Sequence, residues 1–154
     1  MPIDTLLARV NEPRNARHMP LTGEPFTADS ARAWAAAKDA PWSTNGYGPW
    51  AVWVDGDFVG WGGFQLEETG AYFGLVLDPA HWGAGLAIAT HMLNTGVYDL
   101  GLTVISIALP LTRSDPARAI ARLGFRPAGS IELDGVRFRH FRLDARKWRA
   151  IQRR

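Results

Sequence analysis

The sequence predicts a mixed α/β fold in which antiparallel hairpins flank a parallel strand pair. Two β-prone runs each fold back across an Asp-Gly dipeptide, Asp55-Gly56 and Asp134-Gly135, the composition that favours two-residue hairpin turns. Between them, the apolar runs Ala71 to Leu77 and Thr103 to Leu109 enclose a glycine-bearing turn and a stretch of helical periodicity. Strand, helix, strand in that order is a crossover, whose handedness makes the two strands parallel. At 154 residues, 47% apolar and with seven Trp, the chain fits one compact domain over residues 1–154 rather than a disordered or multidomain one.

Taken in order, Ile3 to Val10 reads as a helix, and a stronger one follows Thr27, which can cap it, with Ala28, Ala31, Trp34 and Ala35 as its apolar stripe. Pro13, Pro20 and Pro25 are expected to keep the stretch between irregular. Trp50 to Val54 and Phe58 to Gln65 form the first hairpin. Gly60, Gly62 and Gly63 weaken its second strand but admit close approach by another backbone or a ligand. Ala71 to Leu77 is apolar on both faces, as in a central strand covered on two sides. Leu86, Ala89, Leu93, Val97 and Leu100 recur at helical spacing from about Gly85 onward. Asp115 with Pro116, and Gly124 after Leu123, bound a short helix. In the second hairpin, Gly129 to Leu133 against Val136 to Leu143, Leu133 is expected opposite Val136, Glu132 opposite Arg137 and Ile131 opposite Phe138. The basic tail from Asp144 reads as a terminal helix with Trp148 and Ile151 as its apolar contacts.

Composition removes several kinds of chemistry. With no Cys, there is no disulfide, thiolate zinc site or cysteine nucleophile. His18, His81, His91 and His140 are scattered without ligand-like pairing, so no metal site is expected. Asp4 and Arg9 interrupt the only apolar stretch of the N-terminus, and no apolar run approaches the roughly 20 residues that span a bilayer. A soluble, cytoplasmic protein is expected. Charge is asymmetric: residues 1–112 carry 5 Lys/Arg against 11 Asp/Glu, and residues 113–154 carry 12 against 4. So basic a segment is either a solvated surface or the footprint of a polyanion, nucleic acid or a phosphate-rich cofactor.

The segment His81-Trp82-Gly83-Ala84-Gly85-Leu86-Ala87 reads as a loop joining a buried strand to a helix start, where two glycines and a small residue let main-chain N–H groups face outward. Such N–H groups and the helix macrodipole bind phosphate. The plain alternative is a tight turn that needs Gly for its dihedrals. No Lys-Ser/Thr follows, so this is not a P-loop, and the full dinucleotide fingerprint is absent.

These residues resemble the GNAT acyl-CoA N-acyltransferases, and within them the branch that acetylates ribosomal-protein N-termini and many small amines. The family's cofactor signature is Arg or Gln, two residues, Gly, one residue, Gly or Ala. Trp82, Gly85 and Ala87 stand at those places, with Trp first as in the branch's W-G-x-G-x-A. Leu123-Gly124-Phe125 matches the L-G-F that ends the family's penultimate helix. By order of elements the resemblance covers roughly residues 10 to 143 and lacks the family's usual first strand.

The resemblance implies a GNAT-like sheet, mixed, twisted and mostly antiparallel, with a central parallel pair and flanking helices. It implies an N-acetyltransferase using acetyl-CoA as cosubstrate, with a splayed gap between the two parallel strands that takes the pantetheine arm like an added strand. Main-chain groups of Leu75, Val76 and Leu77 would pair with its amides, and Trp82, Gly83, Ala84, Gly85, Leu86 and Ala87 would hold the pyrophosphate. Arg113, Arg118 and Arg122 would meet the adenosine phosphates. The chain departs from the branch at three places: Tyr72 stands where a carboxylate is usual, and Arg113 and Pro116 stand where Asn and Ser are usual.

For proton handling, Tyr72 and then Glu68 are the candidates, because both lie near the strand that leads to the thioester; His140 and Ser114 are weighed below them. The acceptor is expected to be a small amine or a protein N-terminus, with a homodimer as the assembly to test. Arg14 to Pro25 and Pro41 to Tyr47 would shape its pocket. Two other readings compete. One is a nucleic-acid-binding module using the basic C-terminal third and the run Val136 to Leu143. The other is a GNAT-like domain that binds acyl-CoA without catalysis.

Overall fold

The computed structural model describes residues 2–16, 24–112 and 117–154. A six-stranded sheet of order β1-β2-β3-β4-β6-β5 forms its centre. The strands are β1 (Pro49–Val54), β2 (Asp57–Glu67), β3 (Gly70–Leu77), β4 (Val104–Pro110), β5 (Arg126–Leu133) and β6 (Val136–Asp144). Every neighbouring pair is antiparallel except β3 with β4. The helices are α1 (Ile3–Val10), α2 (Pro13–Ala16), α3 (Ala28–Asn45), α4 (Gly85–Asn94), α5 (Ala117–Arg122) and α6 (Ala145–Gln152).

Local chemistry accounts for most boundaries. Both hairpin turns place Asp and Gly at positive φ, 51° and 84° at Asp55-Gly56, 50° and 78° at Asp134-Gly135, the geometry of a type I′ turn. The second hairpin has the expected register, Leu133 with Val136, Glu132 with Arg137 and Ile131 with Phe138. Thr27 caps α3 in a reciprocal box, its Oγ1 accepting the Ser30 N–H at 3.2 Å and the Ser30 Oγ accepting the Thr27 N–H at 2.8 Å. The close approach expected at Gly60 is by backbone: a methyl group there would run into the Val76 carbonyl of β3. The Asp115-Pro116 cap lies outside the described residues, as do Pro20 and the core of the Arg14 to Pro25 stretch.

Strand alternation sorts the apolar residues onto two faces. Under α4, α5 and α6 lies the larger cluster, including Phe64, Phe73, Leu93, Ile105, Leu143 and Trp148; the Trp148 indole N–H donates to Asn94 Oδ1 at 2.9 Å. On the other face α1 and α3 bring Leu6, Val10 and Ala31 onto Phe58, with Trp34 edge-on to Trp61.

The structure corrects four expectations. Pro13 opens the short helix α2, since proline's fixed φ and missing N–H suit a first helical position. The segment after β3 is a 3₁₀ helix, Pro79–Ala84, running into α4, and not an open loop. The helical stripe is interrupted at both ends: Leu86 is exposed, and a π-helical turn at Thr95–Asp99 precedes Leu100. Finally, β3 is not buried throughout: Ala71 to Phe73 and Leu77 are buried, but Gly74 between them is exposed and Leu75 and Val76 are half-buried. That strand loses its neighbour partway along.

Candidate active site at the parting of two strands

The parallel pair has only two register positions, Ala71 with Ile105 and Tyr72 with Ser106. By contrast β4 pairs with β6 along its whole length, Val104 to Pro110, and β2 pairs with β3 from Glu67–Gly70 to Gly60–Leu77. Beyond Tyr72 and Ser106, therefore, β3 and β4 part.

Which main-chain groups face the gap follows from ladder alternation. The Asp78 N–H donates to the Val59 carbonyl at 2.6 Å, which sets the β2-facing positions at Asp78, Val76 and Gly74. Phe73, Leu75 and Leu77 therefore point their N–H and C=O groups at the gap. Of the three residues expected to pair with a bound arm, Val76 is turned toward Trp61 of β2. The Leu77 carbonyl accepts the Trp82 indole N–H at 3.0 Å, leaving Leu75 with both groups toward the gap. Unpaired backbone at this depth calls for a partner.

At the mouth of the gap, α4 starts from Ala84 with no side-chain cap, so no protein side chain takes up the N–H groups of its first turn. Gly85 has ordinary helical dihedrals, φ −57° and ψ −42°, and Gly83 also lies outside the left-handed region. A methyl group at Gly85 would meet only Leu77 Cδ1 at 3.8 Å, and one at Gly83 would meet nothing within 4 Å. Neither backbone strain nor protein packing requires glycine here, although glycine in a helix costs about 1 kcal/mol against alanine. What the two glycines preserve is open space beside the start of α4, where the Gly85 N–H already donates to the Trp82 carbonyl; room next to a helix start suits a pyrophosphate. Trp82, Gly83, Leu86 and Ala87 are exposed at this mouth, with Ala84 partly so. Arg118 and Arg122 are exposed on α5, while Arg113 and Ser114 lie outside the described residues. Arg9 of α1 steadies the end of β3, its Nη1 lying 3.5 Å from Asp78 Oδ1.

At the closed end Tyr72, the first candidate for proton handling, meets His140, which stood below it. The Tyr72 ring stacks on the His140 imidazole, centroids 5.8 Å apart and planes 18° from parallel. His140 Nε2 is 2.9 Å from Ser106 Oγ, and the Tyr72 hydroxyl is 2.7 Å from Thr69 Oγ1. Burial lowers the His140 pKa from its usual value, and the positive charge of Arg142 lowers it further, so the ring is neutral at pH 7. Glu68 lies exposed in the β2–β3 turn, with no hydrogen bond or ion pair among the described residues. Its neighbour Glu67 is the engaged carboxylate, accepting from Gln65 Nε2 at 2.6 Å; Gln65 in turn accepts from Lys38 Nζ at 3.1 Å. Burial lowers the Lys38 pKa, and Glu67 opposes that shift.

Ser106 and His140 are what the sequence reading missed as a pair. A single Ser inside the apolar run Thr103 to Leu109 was the available signal, since a buried hydroxyl needs a partner. The partner's identity depended on the β4–β6 register, which no local motif specifies.

A family model for the GNAT acetyltransferase domain matches residues 3–126. No curated protein sequence matches the chain. Among solved structures, a protein described as a GNAT-family acetyltransferase from Bordetella pertussis superposes with a TM-score of 0.72 at 21% identity, covering 91% of this chain and 88% of its own. An aminoglycoside acetyltransferase, AAC(6')-Ib, in complex with coenzyme A gives 0.78 at 11% identity, covering 97% and 93%. An N-acetyltransferase from Staphylococcus aureus Mu50 gives 0.68 at 17% identity, covering 93% and 92%. At these identities the likeness is one of fold. No described helix is long and apolar enough to cross a membrane.

Proposed function

The chain belongs to the GNAT acetyltransferase domain family, and from that premise we propose that it is an N-acetyltransferase moving an acetyl group from acetyl-CoA to a primary amine by direct attack. The observation that carries this reading is the parallel pair with two register positions, parting toward the uncapped start of α4. Leu75 offers a main-chain N–H and C=O to the pantetheine amides. The segment from Trp82 to Ala87 offers N–H groups and room to the pyrophosphate, and Arg118 with Arg113 offers charge to the remaining phosphates.

Acetyl-CoA supplies an activated thioester whose carbonyl carbon the amine nitrogen attacks; an N–C bond forms and the C–S bond breaks. The protein's part is to hold both groups near contact distance and to manage two protons. His140, neutral and held by Ser106, takes the proton the amine sheds. Tyr72 gives one to the departing thiolate, and its bond to Thr69 leads toward the turn where Glu68 meets solvent. One proton is taken and one is given, so exchange with water resets the site. A small amine or a protein N-terminus, the latter as in the ribosomal-protein branch, is the acceptor class, in a domain spanning the whole chain. One observation favours a domain that binds acyl-CoA without catalysis: the Tyr72 hydroxyl is already satisfied by Thr69.

CoA release from acetyl-CoA over a panel of amines and N-terminal peptides, with melting measured alongside, tests the proposal. Saturating acetyl-CoA at about 100 times its Kd adds roughly 2.7 kcal/mol of stability. Stabilisation with no turnover on any amine leaves the binding domain; the absence of both overturns the proposal.

A further inference from the structure

The register of the sheet sets five side chains in one lateral row on the face that carries Tyr72. Gln65 of β2 is opposite Tyr72 of β3, Tyr72 is beside Ser106 of β4, Ser106 is opposite Arg142 of β6, and Arg142 is opposite Arg126 of β5. Directly opposed residues on neighbouring strands share a face, and the His140 contacts with Tyr72 and Ser106 agree with that face.

The last two members are like charges directly opposed, an arrangement that destabilises a sheet. Elsewhere the same hairpin does the opposite and sets Glu132 across from Arg137. Arg142 and Arg126 are both exposed, and among the described residues neither side chain takes part in an ion pair or hydrogen bond. The next acid along this face, Asp144, is engaged in capping α6, its Oδ1 accepting the Arg146 N–H at 2.7 Å. At the other end of the row Gln65 joins Lys38 to Glu67, so that end is balanced. The Arg142 charge is felt at His140, which places it within electrostatic reach of the reacting group. With strands about 4.8 Å apart, two guanidiniums stand one and two strands beyond Ser106, and among the described residues no carboxylate pairs with either.

We propose that the amine acetylated by this chain carries an oxyanion, a carboxylate or a phosphate, that docks on Arg142 and Arg126 while its amino group lies at Tyr72 and His140. The proposal rests on the acetyl-transfer reading for the fate of the amine, and on the register, exposure and missing counter-charge of the two arginines for the anion site. Guanidinium groups match both oxyanions in geometry as well as charge. Polycationic amines are repelled by the same pair.

The test uses four probes, 6-aminohexanoate, its neutral amide, O-phosphoethanolamine and spermidine, titrated calorimetrically into the CoA-loaded protein and assayed for CoA release from acetyl-CoA. The carboxylate is expected to bind at least 10-fold tighter than its amide, and spermidine weakest. The ratio of carboxylate to phosphoamine distinguishes the two sources of oxyanion. Arg142→Gln removes the preference over the amide, Arg142→Lys keeps part of it and Arg126→Gln weakens it. In turnover the larger change falls on KM. Equal affinity for carboxylate and amide, a preference for spermidine, or a preference that survives Arg142→Gln overturns the inference. Acetylation that proceeds without regard to charge sinks this inference alone. Arg142-dependent binding with no acetylation of any probe upholds the anion site and removes the transfer reading.

Discussion

β3 has two halves of similar composition and opposite circumstance. Ala71, Tyr72 and Phe73 are buried, while Gly74, Leu75 and Val76 are exposed or half-buried. Both halves pair with β2 throughout; only the first also has β4 beside it. The difference teaches that apolar composition marks a strand as fit for burial without saying which stretch will be covered. Coverage depends on where a partner strand ends. In the first half the sheet completes itself, and in the second the same backbone is left with groups that a ligand can complete.

Substitutions separate the two halves. At the closed end, Ile105→Ala opens a cavity beside Ala71, where Ile105 is 1% exposed, and is expected to cost about 2–5 kcal/mol in chemical denaturation. Acetyl-CoA should still stabilise what remains folded; if the variant unfolds no more readily than the parent, the closed end is not the structural half. At the open end, Gly85→Glu leaves the fold intact, because Gly85 is helical and its Cβ has room. It puts a side chain and a negative charge in the cradle, so the roughly 2.7 kcal/mol of ligand stabilisation disappears. Normal coenzyme binding by that variant would reduce the cradle to a turn.

Between the halves, Tyr72→Phe keeps the ring that stacks on His140 and removes only the hydroxyl. Turnover is expected to fall roughly 100-fold with acetyl-CoA affinity nearly unchanged. Lost melting temperature with retained turnover would make Tyr72 a core residue bonded to Thr69. The smallest effect concerns pH. The His140 pKa is lowered in the folded state, so below the ordinary histidine value of about 6.5 the unfolded chain binds more protons than the folded one. Stability from this site is complete above that pH and is lost as pH falls through the folded value. His140→Gln should flatten the fall in melting temperature on the acid side, and an unchanged slope would show that His140 does not contribute to it.

Much of the fold was legible because its signals are local. Asp55-Gly56 and Asp134-Gly135 require positive φ, Thr27 caps a helix, and the Leu133 to Phe138 register follows from a two-residue turn. The strand–helix–strand crossover likewise follows from periodicity. Illegible features depended on long-range pairing. Nothing near Val76 shows that its main chain faces β2 while that of Leu75 faces a gap, because that parity is set by the Asp78 to Val59 bond. Ser106 and His140 meet across two strands 34 residues apart in sequence. The segment at Gly83 and Gly85 reads in the sequence as a loop; it is helical, and its glycines leave space without being required by their dihedrals.

The central claim is that the gap beyond Tyr72 and Ser106 is completed by the coenzyme's amide-bearing arm, and residue-resolved hydrogen exchange reads it most directly. In the free protein the Leu75 N–H, facing the gap, should exchange fast, while the Val76 N–H, paired with β2, should already be protected. Saturating acetyl-CoA should slow Leu75 by at least 10-fold and leave Val76 as it was. Equal exchange at Leu75 with and without acetyl-CoA would contradict the account.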